Sequence, residues 1–156
     1  MSVTTSHLLM AVVLLALTAS LEGCSTTSVA DPVPLHSTHP RYGEYLDRVR
    51  QMIKAKWGYP CVRNDVMAPC EYKSAKLTIQ FGLREDGQVD YITVIKKSEW
   101  EIYDKYAVNA IRLAAPFPPV PSALMALARP GSASVRILAA FDYKLGRLSQ
   151  RRSSMS

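Results

Sequence analysis

The sequence predicts an α+β domain: a three-stranded antiparallel sheet with two main helices packed on one face, in the order helix, strand, strand, helix, strand. Three observations predict it. Residues 42–57 and 103–114 repeat apolar residues at the three-to-four spacing of an amphipathic helix. Residues 75–83, 89–94 and 135–143 alternate apolar and polar side chains, as half-buried strands do. The turn sequence Arg84-Glu85-Asp86-Gly87 joins the first two of those strands tightly enough to make them antiparallel neighbours.

The first helix carries Tyr42, Tyr45, Leu46, Val49, Met52, Ile53 and Trp57 on one stripe, and it stops at Gly58 before Pro60. In the first strand Ala75, Leu77, Ile79, Phe81 and Leu83 alternate with Lys76, Thr78, Gln80 and Gly82. Gly87 is free to take the positive φ that the turn needs. The returning strand has Val89, Ile92 and Val94 on its core face, and the phase slip between 89 and 92 predicts a bulge near Asp90-Tyr91. Ser98-Glu99-Trp100-Glu101 has the spacing of a capping box at the start of the second helix. That helix places Tyr103, Tyr106, Ala107, Ala110, Ile111 and Ala114 on one face, and the three alanines predict a close approach to the sheet. Pro116-Phe117-Pro118-Pro119-Val120-Pro121 stops it, residues 122–128 suit one or two further helical turns, and Val135, Ile137, Ala139, Phe141 and Tyr143 form the third strand.

Residues 41–146 are therefore read as one domain, with enough chain for one modest core. Residues 1–23 read as a lipoprotein signal: an apolar run over 8–17 is followed by Leu21-Glu22-Gly23-Cys24, with cleavage before Cys24 and acyl chains on it. A plain secretory signal cut near Thr18-Ala19-Ser20 and an uncleaved anchor are the alternatives. A spanning helix needs roughly 20 apolar residues, more than this run supplies. Residues 24–40 then form the lipidated cysteine and a Ser-, Thr- and Pro-rich flexible tether, which reaches about 60 Å at most and keeps the domain near the membrane that holds Cys24. Residues 147–156 read as a disordered basic tail. Of the three cysteines, Cys61 and Cys70 make a natural disulfide in an oxidising compartment, worth about 2.5 kcal/mol, with two free thiols as the alternative. Pairing them leaves Cys24 over, and lipidation gives it a use.

The net charge is +6, part of it in the tail, where an anionic membrane surface would attract basic residues at about 1 kcal/mol each. A solubilising tail is the other reading, and export argues against nucleic acid as a partner. His7, His36 and His39 all lie outside residues 41–146, so the domain has no imidazole for a Ser-His-Asp or Cys-His arrangement or for a metal site. Glu85-Asp86 falls in a turn and Glu99/Glu101 at a helix cap, both ordinary structural positions for carboxylates. The seven glycines are scattered and form no phosphate-cradling loop. The expectation is a chain with no enzymatic activity, no cofactor, no metal and no small-molecule substrate.

Several short motifs occur in order: Trp57-Gly58-Tyr59-Pro60 after the first helix, Asp86-Gly87-x-Val89, Val94 followed by Ser98, and Tyr106-Ala107-Val108-Asn109-Ala110-Ile111. Ala115-Pro116-Phe117-Pro118-Pro119 and a final strand complete the set. With them, residues 41–143 resemble the C-terminal domain shared by TonB and TolA, periplasmic proteins that carry inner-membrane energy towards the outer membrane. The resemblance implies a protein-binding module that pairs a sheet edge with an extended segment of a partner. By that analogy the docking edge is the third strand, at Ser134, Val135, Arg136, Ile137, Leu138, Ala139 and Ala140, with Arg136 read alternatively as a guard against edge aggregation. The implied partner is an envelope protein, such as an outer-membrane receptor or a Tol-like component. Ser25 after Cys24 resembles outer-membrane lipoproteins more than inner-membrane ones, which places the chain in the periplasm on a lipid anchor. The expected departures from TonB are the lack of a transmembrane helix and of a long extended region. The competing function is a structural envelope lipoprotein that touches peptidoglycan, stacking glycan on exposed aromatics, with no transport role.

Overall fold

The computed structural model describes residues 31–145; Cys24, the rest of the signal segment and the basic tail lie outside the described residues. In chain order the elements are β1 (Val33–Pro34), α1 (Gly43–Lys56), β2 (Ala75–Arg84), β3 (Val89–Lys96), α2 (Glu101–Ala114), α3 (Ser122–Met125) and β4 (Ser134–Tyr143). The sheet order is β1-β4-β2-β3. β2 is central because Leu77, Ile79, Phe81 and Leu83 form the most apolar of the alternating runs, and all four are fully buried beneath the helices. It pairs antiparallel with β3 through the predicted hairpin and antiparallel with β4 along ten consecutive residue pairs.

The expected three-stranded antiparallel sheet is corrected to a mixed sheet of four. The fourth strand comes from the stretch that the sequence assigns to the tether: Val33 lies opposite Ile137 and Pro34 opposite Leu138, in parallel. Val33 and Leu35 are two residues apart, and both are buried in the core while Pro34 is exposed between them. The Leu35 amide donates to the Leu138 carbonyl at 2.8 Å, so alternation turns the Pro34 nitrogen outwards, where its missing N–H costs no ladder bond.

Both main helices lie on one face of the sheet, as expected. α1 buries Leu46, Val49 and Ile53, and α2 buries Tyr103, Ala107, Ala110, Ile111 and Ala114. The capping box does not form. α2 begins at Glu101 with Trp100 as its N-cap, so the Ser98–Glu101 pair falls two residues too early, and the Glu101 carboxylate reaches outwards to Lys105 at 3.0 Å. Instead the buried Asp104 carboxylate accepts the Ser98 amide at 2.9 Å, and the Ser98 hydroxyl accepts the Trp100 amide at 3.2 Å. Trp100 packs against the core and holds this turn outside the helix.

The bulge falls where the phase slip predicts it: Gly82 faces Tyr91 and Leu83 faces Val89, which leaves Asp90 unopposed. A second irregularity, between Thr78/Lys96 and Ile79/Val94, leaves Ile95 unopposed. Gly87 takes φ +82° in the hairpin turn. The proline-rich segment docks on that turn, with the Phe117 amide donating to the Gly87 carbonyl at 3.0 Å and the Val120 amide to the Glu85 carbonyl at 2.9 Å. Tyr45 of α1 clamps the same segment, its hydroxyl donating to the Pro118 carbonyl at 2.9 Å. Cys61 and Cys70 form the expected disulfide, with Cα atoms 5.5 Å apart, and the Val62 and Glu71 amides and carbonyls exchange bonds of 2.7 and 2.9 Å beside it.

Candidate docking edge

A four-stranded open sheet has two edges, and they differ. β3 is interrupted at Asp90 and again at Ile95, so its outer row of donors and acceptors is broken twice within eight residues. Bulges of this kind twist an edge away from further pairing. β4 keeps one unbroken register with β2 from Ser134 to Tyr143. Its outer row is therefore regular and suited to accept a strand.

Because Leu138 turns its carbonyl towards β1, alternation places the outward groups of β4 on Ser134, Arg136, Leu138, Ala140 and Asp142. β1 occupies this row around Ile137 and Leu138. Beyond it the chain turns back, the Ser37 amide bonding to the Pro34 carbonyl at 3.0 Å, and no backbone group among the described residues pairs with the outer face of Ala140 or Asp142. The free edge thus begins where β1 ends. Of the seven residues that the sequence singles out, Val135, Ile137 and Ala139 spend their backbone groups on β2, Leu138 spends its carbonyl on β1, and Ala140 is exposed with its outer edge unpaired.

A groove of about 500 Å³ runs beside this free segment. Ala139, Ala140 and Phe141 line one side, Leu35 closes one end, and Ile53, Trp57, Arg50 and Lys54 of the α1 side face it. Arg50 pairs with Asp47, whereas Lys54 makes no ion pair among the described residues, so the rim is positive. Trp57 stands edge-on to Phe141 at 5.2 Å and to Tyr143 at 5.0 Å, which fixes the groove wall to the strand. Tyr143 stacks on Tyr103 at 4.4 Å and donates to the Tyr103 carbonyl at 3.2 Å. Burial pushes the Tyr143 hydroxyl up to about 12. Tyr59, edge-on to Tyr143 at 5.1 Å, is raised as well, first by burial and then by the neighbouring Tyr103 and Asp142. These hydroxyls stay neutral near neutral pH and act as struts.

The face of the sheet away from the helices is polar. Gln80 donates to the Tyr91 hydroxyl at 3.1 Å, and the Ser134 hydroxyl donates to the bulged Asp90 carboxylate at 2.9 Å. Gly82 makes room for this arrangement, since a Cβ there would meet the Tyr91 ring at 2.6 Å. Arg136 lies opposite Gly82, half-buried, with Nη2 sequestered and without a hydrogen-bond partner. β1 pairs next to it, so Arg136 does not stand alone on an open edge. Trp57, Tyr59, Tyr103 and Tyr143 are engaged with one another, and Tyr72 and Tyr106 are the aromatics left clearly exposed among the described residues.

Sequence reasoning missed β1 and the groove that it bounds. The available signal was Val33-Pro34-Leu35, an apolar pair at strand spacing in an otherwise polar stretch, with proline at the one position that an outer strand tolerates.

Comparison with protein families matches residues 42–129 to the family described as TonB C terminal. Among solved structures, the solution structure of the TonB C-terminal domain of Helicobacter pylori is similar, with 23% identity and a TM-score of 0.46, covering 66% of this chain and 82% of that one. Comparison with curated proteins gives no match.

Proposed function

The chain belongs to the TonB C-terminal family, and on that premise we propose that it is a cell-envelope protein-binding module that receives an extended segment of a partner along the outer edge of β4. The observation that carries this is the unbroken ten-residue β4 register whose outer groups at Ala140 and Asp142 lie unpaired beside a groove lined by Ile53 and Trp57. An apolar residue of the incoming segment fits between Leu35 and Trp57, and an acidic one meets Lys54 at the rim. In this reading Cys24 is the acylated anchor, the domain works in the periplasm close to the outer membrane, and the partner is an envelope protein such as an outer-membrane receptor or a Tol-like component.

The length of free edge sets the strength. Two outward residues offer about four backbone hydrogen bonds, and at about 1 kcal/mol each they approach the roughly 4 kcal/mol of a millimolar complex before association costs. Tight binding through this edge needs the groove contacts as well. The test is Ala140→Pro, which removes one outward donor and leaves the β2 ladder untouched. The expected result is loss of a saturable envelope partner from the full-length lipidated protein, with the urea midpoint of the domain little changed. Undiminished partner binding by this variant overturns the proposal. Mass spectrometry of the mature N-terminus tests the anchor: an unmodified or absent Cys24 removes it.

A further inference from the structure

The outer edge of β4 is already in use by the chain itself. β1 lies on it in register, Leu35 donates to Leu138, and Val33 and Leu35 drop two apolar side chains into the core on the α1 side. This is how an added peptide strand occupies a sheet edge: backbone bonds supply adhesion, and alternate side chains fill pockets. We propose that β1 is a built-in ligand of the β4 edge, a tethered strand that holds the docking site part-closed and must leave before a partner can pair along the whole of β4. The inference rests on the docking reading above and adds its regulation.

Three further features suit a strand that leaves. The pairing is short, two residues long, where β2 and β4 share ten pairs. The turn that follows lies at the surface, where Leu35, His36, Ser37, Thr38 and the start of α1 at Glu44 and Asp47 border an open depression of about 350 Å³. Behind it stands a fixed hinge, since the Gly43 amide donates to the His39 carbonyl at 2.6 Å and His39 stacks on Tyr42 at 4.3 Å. Gly43 is required there, because a Cβ would meet the Thr38 backbone at 2.8 Å. Residues 31–38 therefore have an anchored end at 39–43 and only a short pairing with the edge. A partner strand that pairs from Arg136 through Asp142 uses both the edge that β1 vacates and the outer groups of Ala140 and Asp142, which β1 leaves unpaired.

The probe for a test is a synthetic peptide with the sequence of residues 31–38, added in trans to the full-length protein. Val33→Asp combined with Leu35→Asp ejects β1 by placing charge at two buried positions. The peptide is expected to bind this variant at least about tenfold more tightly than the unaltered protein, because a site open only part of the time weakens apparent affinity by its open fraction. Equal binding to both shows that β1 does not obstruct the edge; it overturns the latch and leaves the docking reading standing. Binding to neither, with the near-ultraviolet circular dichroism of the variant native-like, shows that residues 31–38 are no ligand of the vacated edge; it overturns the latch and leaves the docking reading to the Ala140→Pro test. A variant that fails to fold is bypassed by hydrogen exchange on the unaltered protein. The Leu35 amide is expected to exchange by local opening at least about a hundredfold faster than the Ala139 amide, which is bonded to β2. Equal protection of the two overturns the latch.

Discussion

Two glycines take nearly the same backbone conformation in different surroundings, and substituting each by alanine separates conformational strain from steric collision. Gly87 has φ +82° and Gly131 φ +77°. Either Gly→Ala change incurs the left-handed penalty of about 1–2 kcal/mol that an L-residue meets there. At Gly131 nothing lies within 4 Å of the new Cβ, so that penalty is the whole effect. At Gly87 the Cβ falls 2.0 Å from the Phe117 carbonyl oxygen and 2.8 Å from that of Pro118, both of them backbone atoms. The proline-rich segment must then lift off the hairpin. Lifting it breaks the Phe117–Gly87 and Val120–Glu85 bonds, at about 1 kcal/mol each. It also loosens Phe117 and Val120, now 3% and 5% exposed, at about 1 kcal/mol or more for partial re-exposure. The expected loss is about 4–5 kcal/mol for Gly87→Ala against about 1–2 for Gly131→Ala, a large share of the stability of a small domain. Urea unfolding of the two variants and the parent, followed by tryptophan fluorescence, reads the difference directly. Equal midpoints for the two variants would refute the account of how the proline-rich segment is held.

Further outcomes follow from other contacts. Tyr45 and Tyr143 are pushed by burial up to about 12, whereas in the unfolded chain they ionise near the usual value of about 10. Folding therefore favours their neutral forms: this contribution is whole below pH about 10 and is lost as pH rises through about 12. Urea midpoints are expected to fall over that interval, and Tyr45→Phe to fall less steeply; identical slopes would contradict it. Reducing Cys61–Cys70 opens a loop with a sequence separation of 9, and the domain is expected to lose about 2.5 kcal/mol while keeping its sheet, as measured by denaturation with and without reductant. Asp104→Ala leaves the Ser98 amide without its acceptor at the start of α2, and is expected to cost about 1–2 kcal/mol; Glu101→Ala, on the exposed partner of Lys105, is expected to change the melting temperature little.

The parts of the fold legible in the sequence are those whose cause is local. Alternation at Ala75, Leu77, Ile79, Phe81 and Leu83 demanded a half-buried strand, and the phase slip after Val89 demanded an extra residue, which the structure places at Asp90. The disulfide was legible because its partners are near in sequence. The capping box misled for a tertiary reason: its spacing is right, but Trp100 is drawn to the core, so the helix starts after it and Asp104 takes over the role assigned to Glu101. β1 was hidden for a related reason. One apolar pair at strand spacing around a proline is too short to establish a period by itself, and what makes it a strand is the edge of β4, about a hundred residues later in the chain.

That long-range pairing also sets the terms on which the docking edge can work. A strand held by the same chain faces β4 at an effective concentration in the millimolar range typical of short tethers, and a free partner is far more dilute. With equal contacts the resident strand wins. The partner prevails only by making contacts that β1 lacks, and the structure supplies them on one side alone. Past Leu138 lie the unpaired Ala140 and Asp142, the Ile53–Trp57 wall and the free charge of Lys54, none of which two residues of β1 can reach. In the proposed docking, selectivity therefore resides in the β1-distal half of the edge. A segment that merely imitates Val33-Pro34-Leu35 gains nothing over the resident strand, whereas one that continues three or four residues further, with an apolar and then an acidic side chain, displaces it.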